Sequence, residues 1–278
     1  KCNYKVQIMK SIQLFVISCS ILLFSFQSRQ ENTEKELNIE GKGQSQNKAI
    51  GKLFIIGGGK KSDKLVSELI SLSNLNKEKF IVILPMASEE PDSAVYYTAK
   101  QFIALGINSS KIKAFNFNQI NQSQSQIDSL KKASLIYITG GDQNLFMKSV
   151  LNTPVYKAIH TAYQNGATIA GTSAGAAVMS QKMISGNESK HADYTGDFRS
   201  IEAENNELKT GLGLLSNAIV HQHFLCRMRM NRLLSVAMEN PDYLGIGIDE
   251  STAIVVEGNK VRVTGDSQVI LKKKMIEV

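Results

Sequence analysis

Gly171-Thr172-Ser173-Ala174-Gly175 sets a serine hydroxyl between two glycines. The spacing is that of G-x-S-x-G, which gains meaning when a strand enters it and a helix leaves it. The apolar run 167–170 reads as that strand, and 176–180 as the helical stretch beyond. Glycines permit a tight, strained turn with Ser173 at its tip. The N–H of Ala174 can then face the oxyanion of a tetrahedral intermediate, helped by the helix dipole. A glycine-rich strand-to-helix turn with no chemistry is the plainer reading of the same five residues.

A serine nucleophile needs a base, and the base needs an orienting acid. The chain has four histidines: His160, His191, His221 and His223. His160 falls in a predicted helix and reads as structural, while His191 falls in a polar stretch. His221-Gln222-His223 follows a predicted strand, and on extended chain both rings would point the same way. Two of these histidines with His191 and Asp193 do not make a recognised zinc spacing. Glu250 is the candidate acid, at the end of the apolar run 244–248. Asp249 is adjacent but would point oppositely on extended chain. The resulting order, Ser then His then acid, differs from α/β-hydrolases, where the acid precedes the histidine.

The elements that must position these groups alternate. Apolar runs at 53–56, 80–84 and 135–138, and the mainly apolar segments 112–115 and 167–170, read as strands. Helical patterns fall between them, carrying Leu65, Leu69, Ile70 and Leu72, then 93–105, a segment near Ile127, and 154–165. Such alternation predicts an α/β fold with a mostly parallel sheet covered on both faces. Glycines gather after the strands, at the carboxyl edge where open α/β sheets carry their sites. Residues 184–212 are polar and predict a long surface loop. A short strand at 218–220, a helix over 227–238, and a terminal β section at 252–257, 260–264 and 268–271 follow. The turn Glu257-Gly258-Asn259-Lys260 predicts a hairpin.

Composition narrows the classes. The chain has 278 residues, 42% hydrophobic and 21% charged, which suits one sizeable core. Net charge is +7, with Lys1, Lys5 and Lys10 supplying three of the positives. No basic run with interleaved aromatics is present, which argues against nucleic-acid binding. Met9-Lys10 and the apolar stretch 12–26 have the anatomy of a secretory signal. The expected layout is a signal segment at 1–28, a linker at 29–50 and a single α/β domain at 51–278. Export follows, either by cleavage after Ser28 or as a lipoprotein. Val16-Ile17-Ser18-Cys19 resembles a lipobox, and membrane attachment would then come only through a lipidated Cys19. The apolar run falls short of the roughly 20 residues of a membrane span. Cys2, Cys19 and Cys226 form no disulfide framework and no zinc pattern.

Four ordered motifs resemble the cyanophycinases and their relatives in the S51 group of serine peptidases. They are Gly140-Gly141-Asp142-Gln143, the turn 171–176, Gln222-His223-Phe224 with Arg227, Arg229 and Arg232, and the segment 245–250. The resemblance spans roughly residues 51–272. It implies a three-layer sandwich of the class I glutamine-amidotransferase-like (flavodoxin-like) type, with an extra β section at the C-terminus. It implies Ser173 as nucleophile, His223 as general base and Glu250 as its partner. Gly141 and Ala174 become the oxyanion donors, and Gln143, His221, Gln222, Arg227, Arg229 and Arg232 line the substrate pocket. No metal or other cofactor is implied, and a homodimer is.

The implied reaction is exopeptidase release of β-aspartyl-arginine dipeptides from cyanophycin, through an acyl-enzyme. Guanidinium groups bind carboxylates in bidentate fashion, which suits aspartyl substrates. His221 departs from the family, which has Asp there. A neutral ring cannot supply that charge, so an aspartyl or isoaspartyl dipeptidase with a non-arginine substrate is the alternative. A non-catalytic exported binding protein on the same fold is a third reading.

Overall fold

The computed structural model describes residues 37–38, 51–75, 78–191 and 201–273. The expected signal segment, Cys2, Cys19 and nearly all of the expected linker lie outside the described residues, as does Asp193. Strands β1 (Leu37–Asn38), β2 (Lys52–Ile56), β3 (Ile81–Leu84), β4 (Ile112–Ala114), β5 (Leu135–Ile138) and β6 (Thr168–Thr172) come first, with helices between them. These are α1 (Asp63–Leu72), α2 (Pro91–Ala104), α3 (Gln124–Leu130), α4 (Gln143–Val150) and α5 (Pro154–Gln164). Local chemistry starts several of them. Ser62 accepts from the Leu65 N–H to cap α1, Asp142 accepts from the Asn144 N–H to cap α4, and Pro91 and Pro154 open α2 and α5.

Strands β2, β6, β5, β3 and β4 lie side by side in that order, all parallel. Every residue of β3, β5 and β6 is buried, which is why uninterrupted apolar runs serve in β3 and β5, while β6 begins and ends on buried threonines. β4 closes the edge and leaves Lys113 exposed. Side chains alternate between two cores. Leu53 and Ile55 of β2 join the core that holds Ile127, Phe146 and Ile159 from α3, α4 and α5. Phe54 and Ile56 join Leu65, Leu69 and Phe102 from α1 and α2 on the other face. Three layers result, as expected.

The second half of the chain runs through α6 (Ala174–Ala177), β7 (Lys182–Glu188), β8 (Asn206–Thr210), β9 (Ala218–His221), α7 (Met230–Glu239), β10 (Leu244–Ile248), β11 (Thr252–Glu257), β12 (Lys260–Gly265) and β13 (Val269–Lys272). The expected terminal β section is present but divides. β11 and β12 form the hairpin around Gly258, and β11 extends the main sheet antiparallel to β2. β1 pairs with β12 at the sheet's end. β13 instead pairs with β10, which lies parallel to β9, making a separate three-stranded sheet. Ala218, Val220, Ile246 and Ile248 from this small sheet enter the same core as α6.

Three sequence expectations change. Within the expected surface loop at 184–212, residues 184–188 and 206–210 belong to an antiparallel ribbon, β7 with β8, irregular between Ile184 and Glu188. Met183 and Ile184 are buried, which anchors it. Residues 192–200 of that stretch lie outside the described residues. Helix α4 was not anticipated. α7 begins at Met230 rather than 227, because residues 224–229 form a succession of turns with Met228 at φ 49°.

Gly171 shows how tightly β6 meets α6. A Cβ there would sit 2.1 Å from the carbonyl oxygen of Gly175. Gly171→Ala is expected to destabilise the fold by about 1–3 kcal/mol through overpacking, read as a lower urea midpoint.

Candidate active site

Ser173 follows β6 with φ 55° and ψ −112°, outside the regions ordinary for a non-glycine residue. Its N–H donates to the Ile56 carbonyl at 3.1 Å, and its carbonyl accepts from the N–H groups of Ala176 and Ala177. The strained turn is therefore held from both sides. α6 is one short turn, ending sooner than the sequence suggested, so its dipole adds little. The Ala174 N–H, at the first position of that turn, has no intrahelical acceptor by geometry. Gly140 lies beside the serine: a Cβ there would be 3.3 Å from the Ser173 Cβ. Gly141 has φ 135°, and a Cβ would overlap the Ala87 carbonyl, so only glycine fits.

His223 comes two residues after β9, with φ 48°. The extended alternation ends at His221, so the expectation that both rings point the same way does not apply. The His223 N–H donates to the Gly57 carbonyl at 2.7 Å. Its Nε2 lies 2.8 Å from Ser173 Oγ, and its Nδ1 lies 2.5 Å from Glu250 Oε1. Glu250 follows β10 and precedes Ser251, another left-handed residue at φ 56°. Asp249 and Glu250 both lie beyond the end of β10, and Asp249 turns to other partners.

The loop after β2 covers this assembly. Ser251 N–H donates to the Gly58 carbonyl, and Ser251 Oγ donates to the Lys60 carbonyl. A Cβ on Gly58 would fall 2.3 Å from the His223 ring, and one on Gly59 would fall 2.7 Å from the Glu250 carboxylate. The run Gly57-Gly58-Gly59 was legible only as a turn. Its role against His223 depends on residues more than 150 positions away.

Burial is the largest influence on His223 and lowers its pKa below the usual 6.5, with Arg227 and Arg229 acting the same way and Glu250 opposing. The His223 hydrogen bond holds the Glu250 carboxyl below its ordinary value. A neutral ring donating Nδ1–H to Glu250 leaves Nε2 to accept the Ser173 hydroxyl proton. The Cys226 thiol also lies against Glu250, whose carboxylate pushes the thiol pKa up.

Of the other predicted site residues, Gln143 and Arg232 reach the ribbon. Gln143, the first residue of α4, donates Nε2–H to the carbonyls of Ile184 and Ser185 in β7. Arg229 is buried and donates to the Gln222 carbonyl at 2.8 Å. Arg232 is buried against Glu188 of β7 at 2.9 Å. Arg227 is exposed. His221 is 1% exposed, and its Nδ1 is 3.2 Å from Gln222 Oε1. Burial first, then Arg229 and Arg232, keep His221 neutral. His160 bonds the Leu212 carbonyl, and His191 bonds Glu202. A separate cleft, lined by Gln119, Asn144, Lys148 and Lys209 among others, lies along α4 without touching Ser173, His223 or Glu250.

The sequence model of Peptidase family S51 matches residues 53–264. A cyanophycinase of Trichormus variabilis is 38% identical over 179 residues, 64% of this chain and 57% of that protein. The chain thus spans little more than half the length of that relative. A cyanophycinase of Geminocystis herdmanii is 33% identical over 196 residues, 70% of this chain and 69% of that protein. The crystal structure of a peptidase from an acI-B1 Actinobacterium superposes with a TM-score of 0.62 at 26% identity, covering 82% of this chain and 93% of that one.

The geometry sets a pH dependence. If neutral His223 is required, the acid limb of kcat/KM falls below pH 6.5, because burial lowers the pKa. Glu250→Gln removes a group that raises it, so the limb is expected to move lower still. A carboxamide can also hold the wrong tautomer, so kcat is expected to drop at least about 100-fold. A pH–rate series on both proteins checks the two effects.

Proposed function

The chain belongs to peptidase family S51 and is a serine-type peptidase, and on that premise we propose that it releases β-aspartyl-arginine dipeptides from cyanophycin by acyl transfer through Ser173. Support comes above all from the continuous chain Ser173 Oγ, His223 Nε2 and Nδ1, Glu250 Oε1, with contacts of 2.8 and 2.5 Å. Ser173 Oγ attacks the scissile carbonyl carbon as its proton passes to His223 Nε2. Glu250 stabilises the imidazolium that forms. The N–H groups of Gly141 and Ala174 receive the oxyanion. His223 returns the proton to the leaving amine, and water then hydrolyses the ester by the same relay.

Selectivity for an aspartyl group is assigned to the arginines that follow His223 in the chain. Arg229 and Arg232 bring two guanidinium groups, and Glu188 brings one carboxylate. Guanidinium groups bind carboxylates in bidentate fashion, which suits an aspartyl substrate. His221 adds no negative charge for a substrate guanidinium, and this is the departure on which the second reading turns, an aspartyl or isoaspartyl dipeptidase acting on a non-arginine partner.

One measurement tests the nucleophile that both readings share, and a second decides between them. Ser173→Ala is expected to lower turnover by roughly 1,000-fold or more and to abolish labelling by a serine-directed phosphonate. An active, labelled Ser173→Ala protein would overturn the assignment of the nucleophile. Turnover of β-aspartyl-arginine, β-aspartyl-lysine and α-aspartyl substrates is then compared side by side. Preference for β-aspartyl-arginine supports cyanophycin, and His221→Asp should strengthen that preference. A preference for either of the others replaces cyanophycin with the second reading.

A further inference from the structure

Asp249 plays no part in the relay described above, yet it is the residue next to Glu250 and is 9% exposed. Its Oδ1 accepts from the N–H groups of Leu225 and Cys226, each at 3.1 Å. Its Oδ2 accepts from Ser267 Oγ at 2.8 Å, and its own N–H donates to the Gln268 carbonyl at 3.1 Å. The carboxylate is thus fixed on one side by the approach to β13 and grips the His223 turn on the other.

That turn needs an external acceptor. Arg227 N–H returns to the His223 carbonyl and Arg229 N–H to the Phe224 carbonyl, in the manner of a short helical segment. The amides of Leu225 and Cys226 stand in its first turn, where no preceding carbonyl of the segment reaches them. Asp249 supplies the acceptor across space, as an N-cap residue does within a chain. His223 itself holds φ 48°, a conformation that persists only where its surroundings fix it. Consecutive carboxylates therefore hold the two ends of one histidine: Glu250 binds the ring, and Asp249 binds the backbone two and three residues on.

We propose that Asp249 is a positioning residue of the hydrolysis, clamping the 223–226 turn so that the imidazole meets Ser173. The proposal rests on the Ser173–His223–Glu250 reading given above. Asp249 acts through hydrogen-bond acceptance, so its charge is dispensable and its oxygen is not.

The test compares Asp249→Ala with Asp249→Asn in the full chain, using phosphonate labelling of Ser173 and turnover per labelled site. Asp249→Ala is expected to lower the labelling rate and kcat by about 10- to 100-fold, with KM nearly unchanged, because misplacement by about 1 Å is costly in rate. Asp249→Asn is expected to restore most of both, since the amide oxygen still accepts two N–H groups. The acid limb of the Asn variant should match that of the unsubstituted protein. Equal labelling rates in Asp249→Ala and the unsubstituted protein would overturn the proposal. So would an Asn variant as impaired as Ala with its acid limb moved, which would mean a direct electrostatic role. Should Asp249→Ala fail to fold, Ser267→Ala loosens the same clamp from the other side. A smaller loss of labelling rate is then expected, and an unchanged rate counts against the proposal. Failure of the nucleophile assignment shows separately, as an unsubstituted protein that does not label.

Discussion

His223 must touch two partners delivered by different sheets. Ser173 rises from β6 in the main sheet, while His223 and Glu250 stand at the ends of β9 and β10 in the small one. A hydrogen bond of 2.8 Å tolerates little slippage between those sheets. Much of the structure answers that constraint. Ile246 and Ile248 of the small sheet share one core with Ala174, Ala176 and Ala177 of α6, which stand directly after Ser173. The chain also crosses between the sheets at Glu250–Ser251, directly beside the acid.

Strain and close approach are concentrated at the same place. Ser173, His223 and Ser251 all have positive φ, at a cost of order 1–3 kcal/mol each. Backbone bonds from Ser173 to Ile56, His223 to Gly57 and Ser251 to Gly58 hold them. All three acceptors belong to the end of β2 and its loop, so one short segment pins all three strained residues. Its glycines let it come within contact of the imidazole and carboxylate, and that proximity is part of why His223 is desolvated. Burial and Glu250 then pull the ring in opposite directions.

The parts legible in the sequence were those with local signals. β3 and β5 are continuous apolar runs, and β2 is one from Leu53, because both faces of the parallel sheet are buried; β6 shows it less cleanly, with threonines at both ends. Ser173 and Glu250 stood out because each follows a strand-like run, whereas the family resemblance, not the local pattern, singled out His223 over His221; the fold brings the three into contact. The β7–β8 ribbon was hidden because Met183, Ile184 and Leu208 are its few apolar anchors in a polar stretch. α4 was hidden because its cap, Asp142, follows two glycines that read as a loop. The roles of Gly58 against His223 and of Glu188 against Arg232 are contacts across the fold, which no local pattern encodes. The left-handed His223 also broke the strand alternation on which the comparison with His221 relied.

The crossing at Glu250–Ser251 has a further bearing on how the molecule is measured. Backbone spectroscopy counts strands and helices, and each sheet could keep its own ladder while the two drift apart. Catalytic turnover counts only the docked state, since a gap of one ångström between the sheets parts imidazole from hydroxyl. Activity is thus a gauge of tertiary registration rather than of secondary structure. On gentle heating or in dilute denaturant, the two gauges report different events in the same chain.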